Sequence, residues 1–246
     1  MSRYLLTIEY DGTGFHGWQR QEDLVTVQSV LEEALYSLSQ ENITLYVSGR
    51  TDAGVHAKAQ RAHFDMKKKL SCHNILKGMN FYLQEQGVVV LDVKKVNDDF
   101  HARFDARQRQ YSYYILNRKA PSALGRHRYW FIPYSLDVNA MEAAAQYLLG
   151  KHDFSAFRAQ GCQSKSPVKT LSSIKIQKEG EIIKFTLVAP SFLYHQVRNI
   201  VGTLVQVGRG KWSPEYLQDV LQSCDRKKAG PTAPAAGLFF DHVSYK

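Results

Sequence analysis

The sequence predicts an α+β protein made of two ferredoxin-like or RRM-like β-α-β-β-α-β halves, with mainly antiparallel sheets flanking a central cleft. Two observations lead there. Strand-like and helix-like periods of apolar residues succeed one another in the same order twice along the chain. The 246 residues, 44% hydrophobic and 22% charged, are enough for two small cores or one large one and too apolar for extended disorder. The expected boundary lies near residue 104, dividing the chain into 1–104 and 105–246; one continuous α+β domain is the alternative.

The first half opens with a strand over residues 3–10, where Leu5, Leu6 and Ile8 lead into an Asp11-Gly12 turn. Apolar residues then fall at Val27, Val30, Leu31, Ala34, Leu35 and Leu38, the i, i+3, i+4, i+7 series of an amphipathic helix, with Thr26 placed to cap it. Strands are expected over 43–47 and 60–64. Ser71 can cap a helix carrying Ile75, Leu76 and Met79, and a buried strand follows over 87–93. The second half begins with a strand over 110–116. A helix over 138–149 follows, which Gly150 can terminate. Strands over 171–177 and 181–188 form a hairpin around Glu179-Gly180. A long helix over 191–207, a shorter one after Ser213-Pro214 and a strand over 238–244 complete the order.

The charge balance narrows the partners. With 32 Lys+Arg against 23 Asp+Glu, the formal net charge is +9, which draws the protein toward polyanions. Three cysteines, Cys72, Cys162 and Cys224, stand far apart with no Cys-x-x-Cys, against both a zinc ribbon and a disulfide framework. The first residues lack the apolar core of a signal peptide, and no run is long enough to span a membrane. The expectation is a reduced, cytoplasmic protein. Gly210-Lys211 fails as a phosphate loop, because Val205 stands where its first glycine must be and Trp212 where its Ser/Thr must be. No Gly-x-Gly-x-x-Gly follows a strand, and no histidine pair has metal-binding spacing, so neither cofactor nor metal is expected.

The segment Ser48-Gly-Arg-Thr-Asp-Ala-Gly-Val-His56 sets one carboxylate, Asp52, among small residues beside Arg50. Such an aspartate can simply close an Asx-turn; it can also be a carboxylate presented at a cleft. A free Asp titrates near about 3.9, so use as a general acid at neutral pH would require raising it by about 4 kcal/mol. A neighbouring arginine pushes the other way. If Asp52 is catalytic, it acts ionised, as nucleophile or base. In Arg107-Gln-Arg-Gln-Tyr111-Ser-Tyr113-Tyr-Ile115, alternate residues share a strand face. Tyr113 and Ile115 suit a core, while Tyr111, nearest the cationic end, can offer its ring to a base. Aromatic and basic residues meet again in residues 14–21 and 154–158. On the helix expected from Ser191, Arg198 lies on the polar border of the apolar stripe, where its fork can pair with a carboxylate.

Several blocks together resemble the signature segments of the TruA family of tRNA pseudouridine synthases. They are Tyr10-Asp-Gly-Thr-Gly-Phe-His-Gly-Trp-Gln-Arg-Gln21, Gly49-Arg-Thr-Asp-Ala-Gly-Val-His-Ala57, Phe100-His-Ala-Arg-Phe104, Val197-Arg-Asn-Ile-Val-Gly202 and Thr232-Ala-Pro-Ala-Ala-Gly-Leu238. They fall in family order along nearly the whole chain. Lys169 stands where the family commonly has arginine, keeping charge but losing the planar fork.

The resemblance implies an isomerase that turns uridine into pseudouridine at positions 38 to 40, on the 3′ side of the tRNA anticodon stem-loop. It implies Asp52 as the catalytic aspartate, Tyr111 as the active-site tyrosine, and Arg50 and Arg198 as substrate-binding cations near that aspartate. It further implies no cofactor, no metal, a flipped target base and a homodimer with tRNA in a basic cleft. A non-catalytic RNA-binding protein on the same scaffold is the competing expectation, and the intact Gly-Arg-Thr-Asp block argues against it. The surplus charge sits partly in Lys67-Lys68-Lys69, Arg103/Arg107/Arg109, Arg126/Arg128 and Arg226-Lys227-Lys228, read as phosphate contacts.

Overall fold

In the computed structural model, which describes residues 1 to 245, the chain forms two units. One is Met1–Arg107 joined by the chain from Phe239 onward; the other is Gln108–Leu238. The first contains strand β1 (Ser2–Tyr10), helix α1 (Val27–Ser39), strands β2 (Tyr46–Val47) and β3 (His56–Met66), helix α2 (Cys72–Tyr82) and strand β4 (Val88–Val96). β1 lies between β3 and β4, antiparallel to both, and β2 pairs antiparallel with the far side of β3. Each helical connection therefore skips one strand, which is the split β-α-β arrangement.

Alternation decides the faces. Tyr4, Leu6 and Ile8 of β1 stand opposite Phe64, Ala62 and Gln60 of β3, and all six are buried. Val27, Leu31, Ala34 and Leu35 of α1 and Ile75 and Met79 of α2 are buried as the 3.6-residue period requires. Each fully buried aliphatic side chain contributes about 1.5–3 kcal/mol. Both predicted caps form. Thr26 Oγ1 accepts the Ser29 N–H while Ser29 Oγ accepts the Thr26 N–H, and Ser71 Oγ accepts the Asn74 N–H.

The strand expected over 43–47 shrinks to Tyr46–Val47. Ile43 and Leu45 are buried, but the Leu45 N–H donates to Glu32 Oε1 at 2.9 Å. A side chain of α1 thus meets a backbone demand that a neighbouring strand would otherwise meet.

The second unit contains β5 (Gln108–Asn117), β6 (Trp130–Ile132), α3 (Val138–Ala145), β7 (Gly150–Asp153), β8 (Val168–Leu171), β9 (Ser173–Glu179), β10 (Ile182–Ala189), α4 (Gln196–Gly208) and α5 (Tyr216–Ser223). β10 pairs antiparallel with both β5 and β9, β6 runs parallel to β5, and β7 and β8 make a separate antiparallel pair. Tyr113, Ile115, Ile183, Phe185 and Leu187 of this sheet are wholly buried, as are Ile200, Val201, Leu204 and Val205 of α4.

Three expectations change here. The helix expected over 138–149 ends at Ala145 and tightens into a 3₁₀ turn over Gln146–Leu148; Gly150, left-handed at φ +96°, opens β7. The strand expected over 171–177 divides, 168–171 going to β7 and 173–179 to β10. The helix expected from Ser191 begins only at Gln196, because His195 takes a left-handed φ of +60°, which an α-helix cannot pass through. The hairpin turn falls at Gly180, φ +59°, as expected.

The closing strand β11 (Leu238–Ser244) runs parallel to β3, with Phe239 opposite His56 and Phe240 opposite Ala57. The Phe239 ring stacks on the His56 imidazole at 4.6 Å.

Candidate active site

The carboxylate loop, residues 48–55 between β2 and β3, is pinned from several sides by the first unit. Ser48 Oγ donates to Gln60 Oε1 at 2.7 Å, and Gln60 Nε2 donates to the Gly49 carbonyl at 2.9 Å. The Trp18 N–H donates to the Thr51 carbonyl at 3.0 Å, the Gly54 N–H to the Phe15 carbonyl at 3.3 Å, and the Val55 N–H to the Asp52 carbonyl at 3.1 Å. The Tyr10 hydroxyl and Thr51 Oγ1 share a buried 2.7 Å bond. Burial pushes the Tyr10 phenol up to about 12, partly offset by that bond, so it remains neutral at physiological pH.

Two glycines allow segment 11–18 to approach so closely. Gly17 has φ +85°, and a Cβ there would lie 2.8 Å from the Thr51 carbonyl oxygen and 3.1 Å from the Ala53 nitrogen. A Cβ on Gly12 would overlap the Val55 carbonyl. The sequence block from Tyr10 to Gln21 thus serves largely as the bed of the Asp52 loop. Its aromatics Phe15 and Trp18 are buried core residues and not a surface for RNA. Asp52 is left half-buried, with Arg50 two residues earlier and exposed.

In the second unit, Tyr111 lies on β5, half-buried, two residues before the fully buried Tyr113. The Phe192 ring meets Tyr111 edge-to-face, centroids 5.2 Å apart at 87°. Arg198 sits in the first turn of α4, half-buried on the border of a stripe containing Val197, Ile200, Val201 and Leu204, as its position in the sequence suggested. Its Nε donates to the Ala233 carbonyl at 2.7 Å, and Nη1 lies 3.2 Å from His195 Nε2. The Tyr113 hydroxyl donates to the Pro234 carbonyl at 2.7 Å, and burial pushes that phenol strongly up.

Segment 226–234 is therefore a strap that positions Arg198. It lies tight against α4 where two glycines meet. A Cβ on Gly202 would overlap the Pro231 carbonyl, and one on Gly230 would come within 2.6 Å of the Gly202 carbonyl oxygen. Arg226 ties the strap down through Asn199 Oδ1 at 3.0 Å, Thr232 Oγ1 at 3.0 Å and the Gly230 carbonyl at 2.8 Å. That corrects one phosphate cluster, since the Arg226 guanidinium is engaged inside its own unit. Phe154 and Phe157 are wholly buried, and Arg158 donates to the Cys162 and Ser164 carbonyls, so that aromatic-basic run is also structural. Phe192, His195 and the strap carbonyls were not anticipated. For the strap the sequence signal was the Thr232–Leu238 block; for Phe192 and His195 it was the Ser191–Gln196 stretch, whose apolar period resembled one more helical turn.

Among the described residues, no group of three or more His, Cys, Asp or Glu could hold a metal ion, and no helix is long and apolar enough to cross a membrane. The three cysteines are unpaired.

The α+β chain thus holds a glycine-bedded carboxylate loop in its first unit, and a tyrosine and a strap-anchored arginine in its second. A family model described as tRNA pseudouridine synthase matches residues 6–105 and 144–246. Two relatives, both named tRNA pseudouridine synthase A, are similar along the full length. The protein from Paramagnetospirillum magneticum is 51% identical over 245 residues, covering 100% of this chain and 96% of the relative. That from Rhodospirillum centenum is 50% identical over 245 residues, covering 100% of both. The chain belongs to the TruA family of tRNA pseudouridine synthases, isomerases that convert uridine to pseudouridine in tRNA.

Proposed function

We propose that the protein isomerises uridines at positions 38 to 40 on the 3′ side of the tRNA anticodon stem-loop, with Asp52 as its catalytic group. The observation that carries this is the loop of Asp52, where hydrogen bonds, two close glycine contacts and buried aromatics fix a half-buried carboxylate. The bond from uracil N1 to the ribose breaks, the base turns, C5 bonds to the same ribose carbon, and the C5 proton leaves while N1 gains one. An ionised carboxylate serves as nucleophile toward sugar or base, or as base toward a sugar proton.

The target nucleotide leaves its stack at a cost of a few kcal/mol, and stacking on Tyr111 returns about 1–3 kcal/mol. Phe192, packed edge-on against that ring, restricts its rotation. Arg198, held by Ala233, and Arg50 supply positive charge for the phosphates of the substrate. The same reading has the protein working as a homodimer in the cytoplasm, without a cofactor.

Mapping pseudouridines in unmodified tRNA after treatment tests the assignment. New pseudouridine confined to positions 38–40 is expected; modification elsewhere in the tRNA would overturn the site preference. Tyr111→Ala should lower turnover by about 5- to 150-fold, the equivalent of one lost stacked base; near-native turnover would leave Tyr111 a packing residue. Affinity for tRNA should fall linearly in log–log terms with salt, and a flat response between low and moderate salt would refute phosphate contacts as its source.

A further inference from the structure

The block Phe100-His-Ala-Arg-Phe104 has no part in the chemistry described above, yet it is built with unusual rigidity. It follows β4 within the first unit. Arg3 forms a two-pronged ion pair with Asp65, 2.8 Å on each prong, and its Nη1 donates to the Phe100 carbonyl at 2.8 Å. The Ala102 N–H donates to His63 Nδ1 at 3.1 Å, and the Tyr245 hydroxyl donates to the Ala102 carbonyl at 2.9 Å. Asp105 closes the turn, with Oδ2 accepting the His101 N–H at 2.7 Å and its own N–H donating to the His101 carbonyl.

What this framework displays is a run of rings. His63, buried on β3, stacks with Tyr46 of β2 at 5.1 Å and meets His101 edge-on at 4.7 Å. His101 packs on Phe104 at 4.2 Å, and the Arg103 guanidinium lies 6.0 Å from the Phe104 centroid. Toward solvent the run is open. Phe104 is 75% exposed and Tyr46 49% exposed. Burial first, then the neighbouring His101 and Arg3 charges, brings His63 down to about 4, and burial likewise lowers His101, so at neutral pH the imidazoles are neutral rings. A large apolar side chain held rigidly in solvent beside a cation marks a contact surface. A neutral aromatic face next to arginine is the combination that takes unpaired nucleobases.

We propose that Phe104, with His101, Tyr46 and Arg103, forms a stacking platform for an unpaired base of the tRNA other than the one being isomerised. The platform rests on tRNA being the substrate. Its occupant is a base rather than a second copy of the chain because the ring is paired with a cation and the nearest loop carboxylate, Asp105, is engaged by the His101 amide.

The test compares native protein with Phe104→Ala, Phe104→Trp and Arg103→Gln. It uses filter binding to unmodified tRNA, release of tritium from uridine C5 in that tRNA, and sedimentation. Phe104→Ala should raise Kd and KM together by about 5- to 150-fold, with kcat at saturating tRNA within about twofold of native. Phe104→Trp should restore binding, and Arg103→Gln should weaken it with a salt slope smaller by about one. Unchanged Kd and KM in Phe104→Ala overturn the platform. So does weaker binding accompanied by a changed sedimentation coefficient, which would make the patch a contact between copies. Failure of the native protein to release tritium would instead overturn the substrate assignment, and the binding arm would still decide the platform.

Discussion

Asp52→Asn is expected to release no tritium from tRNA labelled at uridine C5 while binding that tRNA as the native protein does. The substitution is nearly isosteric, and backbone and Thr51 contacts fix the path of the loop. The Thr51 carbonyl takes the Trp18 N–H, the Phe15 carbonyl takes the Gly54 N–H, and the Tyr10–Thr51 bond lies in the core. The carboxylate's chemistry is removed. An amide neither attacks the substrate as a nucleophile nor accepts a proton as a base, and the loss of such a group lowers turnover by about 10²- to 10⁴-fold or more. Unimpaired release would eliminate Asp52 as the catalytic residue; lost binding with an intact fold would make it a binding residue.

Gly202→Ala should damage stability and turnover together although residue 202 carries no reactive group. Its Cβ would overlap the Pro231 carbonyl. Helix α4 cannot retreat, because Val201 and Thr203 on either side are completely buried. The strap must therefore move, and it holds the Ala233 carbonyl on Arg198 and the Pro234 carbonyl on Tyr113. Overpacking of this kind costs about 1–3 kcal/mol, or a fall in melting temperature of roughly 2–12 °C at this chain length. The loss in kcat/KM should exceed what the remaining folded fraction explains. Gly14→Ala is the control, since no atom lies within 4 Å of its Cβ position; it should melt and turn over like the native protein. A native melting curve for Gly202→Ala would mean that the strap yields freely and does not position Arg198.

What could be read beforehand was what short-range chemistry determines. The α1 stripe and its Thr26 cap are local facts and emerged as expected. The start of α4 is not local. The left-handed His195 follows Tyr194, whose N–H donates to Cys162 Sγ and whose carbonyl accepts the Ala159 N–H, contacts more than thirty residues away in sequence. Likewise Leu45 could not be known to satisfy its N–H from Glu32. Aromatic-basic runs were ambiguous for a related reason. Phe15, Trp18, Phe154 and Phe157 have the same neighbours in sequence as a stacking surface would, and only packing shows them to be core. The Asp52 loop stood out because small residues around one carboxylate are a local pattern, one that a plain Asx-turn shares, and its catalytic expectation came from the family resemblance. Its bed of Gly12 and Gly17 was not, because a close approach between distant segments leaves no periodicity.

The parallel pairing of β11 with β3 gives the chain an order of assembly. His56 and Ala57, which immediately follow the Asp52 loop, emerge from the ribosome long before Phe239 and Phe240, and the whole second unit is made in between. The strand that follows that loop meets this partner only after the second unit has been made. A nascent chain lacking β11 has no Phe239 ring on His56 and leaves residues 56 and 57 of β3 without that parallel partner, next to the Asp52 loop. The support of the Asp52 loop thereby depends on a strand made after the whole second unit.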